Sequence, residues 1–338
     1  MTRCCCIFLL LTATARAQGL KVEDPIQALL KAFDRYRIVM LGELPDSRQQ
    51  WELLERLITV PAFQEKVNDI VMGYGNSRYQ DVVDRFVGGQ NVPLEEVQKA
   101  WRNAAGALGA VSPVYGNFYS AVRAVNRKLP KERRLRILLG DPPVDWDRVQ
   151  SRDDLSPFIP FRDVHYASVV RYEVLAKGRK ALLTMGTGHF RRLGGRPGSI
   201  EGSLLMAGAK AYVVIPGSNM VGGFDDLDPR FEQYPAPWFA ELKDNWLGNL
   251  PLTSSRGSQG TWAEMADAYL YLGPRDKLTR LRPRRVELEG TAYGKEVERR
   301  LVLIFGKAPD FAPKSDEAPL YERNPTPPPP LPPPPIPR

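Results

Sequence analysis

Residues 37–43 read Arg-Ile-Val-Met-Leu-Gly-Glu, and residues 180–189 read Lys-Ala-Leu-Leu-Thr-Met-Gly-Thr-Gly-His. Each is a short apolar run stopped by glycine, the pattern of a strand buried on both faces. Residues 69–72 (Asp-Ile-Val-Met), 135–139 (Leu-Arg-Ile-Leu-Leu), 210–215 (Lys-Ala-Tyr-Val-Val-Ile) and 268–272 (Ala-Tyr-Leu-Tyr-Leu) repeat it, each followed by Gly or Pro-Gly. Helical patterns lie between them. Residues 47–57 lead into Ile58 and place Trp51, Leu54, Leu57 and Ile58 on one face, and residues 163–177 end at Gly178.

Alternation of strand and helix predicts an α/β fold with a mainly parallel sheet flanked by helices. Between the second and third strands lie about 60 residues with three helical patterns, 79–87, 94–105 and 115–128. This insertion, about 77–130, is expected to cap the C-terminal ends of the strands. Residues 222–258 carry Phe224, Phe231, Tyr234, Trp238, Phe239 and Trp246 amid Pro, Gly and Asp. They read as an irregular segment whose aromatics either pin it to the domain or wall a pocket.

The chain has 338 residues, 43% apolar content and a formal charge of +8. Near-average composition at this length excludes collagen, coiled coil and wholesale disorder. The ends are expected to lie outside the fold. Residues 1–17 read as a Sec signal peptide: Arg3, an apolar run too short to span a bilayer, then Ala15-Arg-Ala17. A secreted or periplasmic location follows, with no stable membrane insertion after cleavage. Cleavage would remove Cys4, Cys5 and Cys6, the only cysteines, and so any thiol chemistry.

Residues 308–338 are expected to be a disordered tail, ten of whose prolines fall in 325–338; polyproline II backbone there is either a spacer or the docking motif of a partner. This leaves residues 18–307 as a single domain, with a basic C-terminal arm over 275–306. Residues 275–285 hold six Lys or Arg against one Asp. In an exported protein they read as solvated surface, with no nucleic acid expected.

Ligands of open α/β sheets bind beyond the carboxyl ends of the strands. Those ends carry Glu43, then Tyr74, Asn76 and Arg78, then Asp141, then His189, Arg191 and Arg192, then Ser218 and Asn219. His189 is one of two histidines in the chain. An imidazole after a Gly-Thr-Gly turn suits a general base, with Glu43 or Asp141 orienting the ring; equally, it would cap a turn. Arg78 and Arg191, with Tyr74 and Asn76, are candidate substrate-binding residues, the arginines for developing negative charge. His165 reads as a packing or surface residue. No cofactor is expected, and two distant histidines argue against a His-rich metal site. P-loop and G-x-S-x-G patterns do not occur.

Taken in order, IVMLGE, LLGD, MGTGH and DAYLYLG resemble the erythromycin esterase-like and ChaN-like superfamily over roughly residues 35–275, most of all its exported bacterial members of unassigned function. The resemblance implies an α/β sheet with a cleft at the strand ends. It implies either hydrolysis of a macrolactone ester by histidine-activated water or haem binding. Glu43 matches the glutamate of the G-E-x-H signature, and His189 the histidine after the later strand. Pro45 stands where that signature has histidine, so haem ligation there and the usual esterase base are lost. Two expectations remain. One is a hydrolase-like protein acting on an ester or lactone, with His189, Glu43 and Asp141 as catalytic residues. The other is a catalytically degraded protein that binds a small-molecule ligand.

Overall fold

A computed structural model describes residues 20–105, 112–190, 192, 199–217, 228–252, 260–281, 288–306 and 317–319. The expected signal peptide and most of the proline-rich tail, together with Arg191, Ser218 and Asn219, lie outside the described residues. Seven strands form one sheet. They are β1 (Ile38–Glu43), β2 (Asp69–Asn76), β3 (Arg136–Asp141), β4 (Ala181–Gly186), β5 (Ala211–Pro216), β6 (Trp238–Glu241) and β7 (Ala268–Tyr271). Their order is β3-β2-β4-β1-β5-β7-β6. Every neighbouring pair is parallel except β6 with β7. This is the α/β fold that the glycine-stopped apolar runs predict.

Side-chain alternation divides the core in two. From β1, Val39 and Leu41 enter one apolar cluster while Ile38 and Met40 enter the other. The first face is covered by α1 (Pro25–Arg35), α2 (Arg48–Thr59), α3 (Pro61–Lys66), α4 (Gln80–Val87), α5 (Leu94–Arg102) and α6 (Pro113–Asn126). The second is covered by α7 (Arg162–Val169), its π-helical continuation Val170–Leu175, and α8 (Ile200–Met206). In α1, Asp24 accepts from the Gln27 amide and Pro25 opens the first turn; both favour helix initiation.

The insertion α4–α6 packs flat on the first face through Val83, Phe86, Val97, Phe118 and Val122. It also reaches the strand ends, where α5 lies against the Ser77–Tyr79 turn that follows β2. There the Asn103 carbonyl accepts from Asn76 Nδ2, and the Ala105 amide donates to Asp141.

The aromatic segment is less irregular than its composition suggests. It holds α9 (Asp228–Phe231) and the edge strand β6. Phe231 meets Trp238 and Tyr271 with ring centroids 5.0 and 5.1 Å apart, so these aromatics pin the segment to β7. After β7, the described part of the basic arm crosses the start of α2. There Gln49 donates to the Lys277 carbonyl, and the Leu281 amide donates to the Asp46 carbonyl. The last helices are α10 (Trp262–Met265) and α11 (Ala292–Phe305). On α11 the buried Arg300 donates to Glu296, to Asn103 Oδ1 and to the Arg102 carbonyl, and lies 4.2 Å from the Trp146 ring centroid. Among the described residues, no helix is long and apolar enough to cross a membrane.

Candidate active site

The chain leaves β1 for α2 on the first face and leaves β4 for α8 on the second. Since β1 and β4 are neighbours, their C-terminal ends bound the topological switch point, where such sheets open a crevice. Glu43 ends β1, in register with Gly186 of β4. His189 follows three residues later in a 3₁₀ turn, Thr187–His189. Gly42 is required here by close approach: a Cβ on it would stand 2.5 Å from Thr187 Oγ1.

His189 Nδ1 lies 2.5 Å from Asp163 Oδ1, and the two side chains are 33% and 29% exposed. Its Nε2 has no hydrogen-bond partner among the described residues. A carboxylate on Nδ1 with Nε2 open to solvent sets the tautomer that a general base needs.

Neither expected carboxylate orients the ring. Glu43 follows the alternation of β1 onto the first face, where Tyr115 Oη donates to its Oε1 at 2.7 Å. Asp141 ends β3, with β2 between it and β4. Its Oδ1 accepts from Arg162 Nε at 2.7 Å and its Oδ2 from the Ala105 amide at 2.6 Å. Asp141 is fully buried, and this ion pair ties β3 to α7.

One short helix organises the rim. From the first turn and a half of α7, Arg162 reaches Asp141, Asp163 reaches His189, and His165 Nε2 lies 3.1 Å from Ser77 Oγ. His165 is half-buried; burial lowers its basicity, with the Asp141 charge opposing. The sequence reading missed Arg162, Asp163 and Tyr115. Asp163 was within reach of it, since an acid in a helix's first turn beyond a strand end is a natural partner for a rim histidine. Tyr115 is distant in sequence and gives no such signal.

Glu43 is 2% exposed, and its Oε2 has no hydrogen-bond partner. Burial, aided by the Asp46 charge and opposed by the Tyr115 hydrogen bond, pushes its carboxyl up to about 8. At neutral pH Glu43 is therefore a protonated acid, a hydrogen-bond donor rather than a base. Burial and the Glu43 charge also raise the Tyr74, Tyr115 and Tyr119 hydroxyls above their ordinary range. Tyr74 and Trp51 both pack on Tyr115, at centroid distances of 5.3 and 5.2 Å. Gln50 holds the turn after β1, donating to the Gly42 carbonyl and accepting from the Leu44 amide, each at 2.7 Å.

The remaining candidates are engaged elsewhere. Asn76 Nδ2 donates to the Asn103 and Val144 carbonyls, and its Oδ1 accepts from the Arg78 amide. The half-exposed Arg78 guanidinium pairs with Asp145 at 3.1 Å. Arg192 pairs with Asp267 near the start of β5, away from the rim. The structure thus places Glu43 and Tyr74 around Tyr115 on the first face and His189 against Asp163 of α7, while Asp141, Asn76 and Arg78 serve bonds beside them. No three His, Cys, Asp or Glu side chains gather in metal-binding geometry among the described residues.

No family model matches the sequence, and no curated protein does. Solved structures match it at low similarity. The type III effector HopBA1 matches at 9% identity and a TM-score of 0.43, over 77% of this chain and 99% of its own. A Bacillus cereus protein matches at 11% identity and 0.47, over 73% and 91%. ChaN of Campylobacter jejuni, a structure of cofacial heme binding, matches at 15% identity and 0.37, over 58% and 86%. At this level of similarity nothing about chemistry follows.

Proposed function

We propose that the protein is an exported hydrolase that cleaves an ester or lactone of a small polar molecule. The supporting observation is His189 beside the sheet's switch point, with Nδ1 on Asp163 at 2.5 Å and Nε2 open. Nε2 takes a proton from water as the water oxygen bonds to the carbonyl carbon. The carbonyl oxygen gains negative charge as the tetrahedral intermediate forms. The C–O bond then breaks, and the imidazolium returns its proton to the leaving alkoxide, giving acid and alcohol. Asp163 replaces Glu43 and Asp141 as the group that orients the ring.

The assay is turnover of a panel of small esters and lactones by the protein, His189→Ala and Asp163→Asn. His189→Ala is expected to lower kcat by roughly 10²-fold or more, and Asp163→Asn by a comparable factor through the wrong tautomer. Turnover unchanged by His189→Ala refutes the assignment. A second reading, a ligand-binding protein without catalysis, is favoured by Pro45 and by the commitment of Asp141, Asn76 and Arg78 to structural bonds. An inactive protein that gains thermal stability with a panel member would support that reading.

A further inference from the structure

The opposite end of the sheet holds a cleft of about 790 Å³. It is lined by Arg35, Tyr36 and Arg37 before β1, by Arg171, Leu175 and Ala176 of the helix preceding β4, and by residues 207–210 before β5. Four of its side chains are cationic: Arg35, Arg37, Arg171 and Lys210. All four are exposed. Among the described residues, Arg37, Arg171 and Lys210 have no carboxylate within ion-pair distance, and Arg35 has only the exposed Glu241 at 3.8 Å.

Basic side chains nearby are treated differently. Asp69 accepts from Arg136 and Arg179, Glu173 pairs with Arg136 and Lys177, and Asp267 pairs with Arg192. Acids therefore neutralise the cations around the cleft and leave Arg37, Arg171 and Lys210 of its lining uncompensated. Like charges held within a Debye length repel, so the cleft is a region of positive potential that an anion relieves. Three guanidinium forks suit the oxygens of a phosphoryl group.

We propose that this cleft binds a ligand carrying two or more phosphoryl charges. That chemistry has two sources, a soluble polyphosphorylated molecule or the headgroups of an anionic lipid surface. The second arises because exposed apolar residues adjoin its lining residues in the chain: Tyr172 follows Arg171, and Leu205 and the 81% exposed Met206 precede Ala207. The cleft lies at the far end of the sheet from His189, so its failure leaves the hydrolase reading untouched.

The test uses the full chain with two probes, tripolyphosphate by calorimetry and co-sedimentation with phosphatidylcholine vesicles with or without phosphatidylglycerol. Arg37→Ser with Lys210→Ser removes two lining cations. Lys99→Ser with Arg127→Ser removes two exposed cations elsewhere and controls for net charge. Binding of tripolyphosphate, weakened at least about tenfold by the cleft pair and not by the control pair, supports the proposal with a soluble ligand. The same pattern only on phosphatidylglycerol vesicles supports it with a lipid source. Binding of neither probe, or equal weakening by both pairs, overturns it. All four positions are exposed, and equal melting temperatures verify that each variant is folded.

Discussion

A protonated glutamate in the core makes stability fall as pH rises, and the effect can be isolated by one substitution. The Glu43 carboxyl is raised from its ordinary 4.5 to about 8, so the folded chain holds a proton that the unfolded chain releases. A raised carboxyl contributes fully below the unfolded value, and its contribution is lost as pH climbs through the folded one. The window is therefore pH 4.5 to 8. At about 1.4 kcal/mol per pH unit, the total is roughly 5 kcal/mol, an upper figure if the site relaxes or admits water. Glu43→Gln keeps an oxygen to accept from Tyr115 but does not titrate. It also places an amide where Oε2 has no partner, a pH-independent cost of about 1–3 kcal/mol. The informative quantity is thus the slope. Urea unfolding followed by tryptophan fluorescence at pH 5, 6, 7 and 8 should show the variant gaining on the parent by several kcal/mol across the series. A difference that stays constant with pH would mean that Glu43 is ionised in the folded protein, and the donor role assigned to it would fall.

Arg162→Ala should cost about 3 kcal/mol by denaturant unfolding, because Asp141 is fully buried and loses its cation; a loss near that of a surface pair, about 0.5 kcal/mol, would show that the pair does not tie β3 to α7. Gly140→Ala should lower the melting temperature through a cost of at least about 1–3 kcal/mol. Its Cβ would stand 2.3 Å from the Tyr166 ring, whose hydroxyl donates to the Val71 carbonyl. An unchanged melting temperature would contradict that packing.

The sheet was legible because burial on both faces leaves a local mark. Runs such as IVMLG, LLTMG and YVVIP need only be apolar, β-branched and stopped, and each became a parallel strand. Helix α1 carries a comparable local mark in Asp24-Pro25. The edge strand β6 was not, since Trp238-Phe-Ala-Glu241 is four residues long and sits among Pro and charge. It exists because β7 offers an unpaired edge and aromatic neighbours to pack on.

Which residues stand at the strand ends can be read along the chain, since a strand's direction and its stop are properties of contiguous residues. Glu43, Asp141 and His189 were placed at one rim on that basis alone. Which of those residues pair depends on how the strands and helices pack. Strand order sets β4 beside β1 and removes β3 by two strands, which separates Asp141 from His189. Side-chain alternation sends the Glu43 carboxyl to Tyr115 on the first face, while α7, packed on the second, brings Asp163 to the imidazole and Arg162 to Asp141. Hydrogen bonds and ion pairs act over a few ångströms, and such distances between residues far apart in the chain follow from packing, which local sequence does not encode.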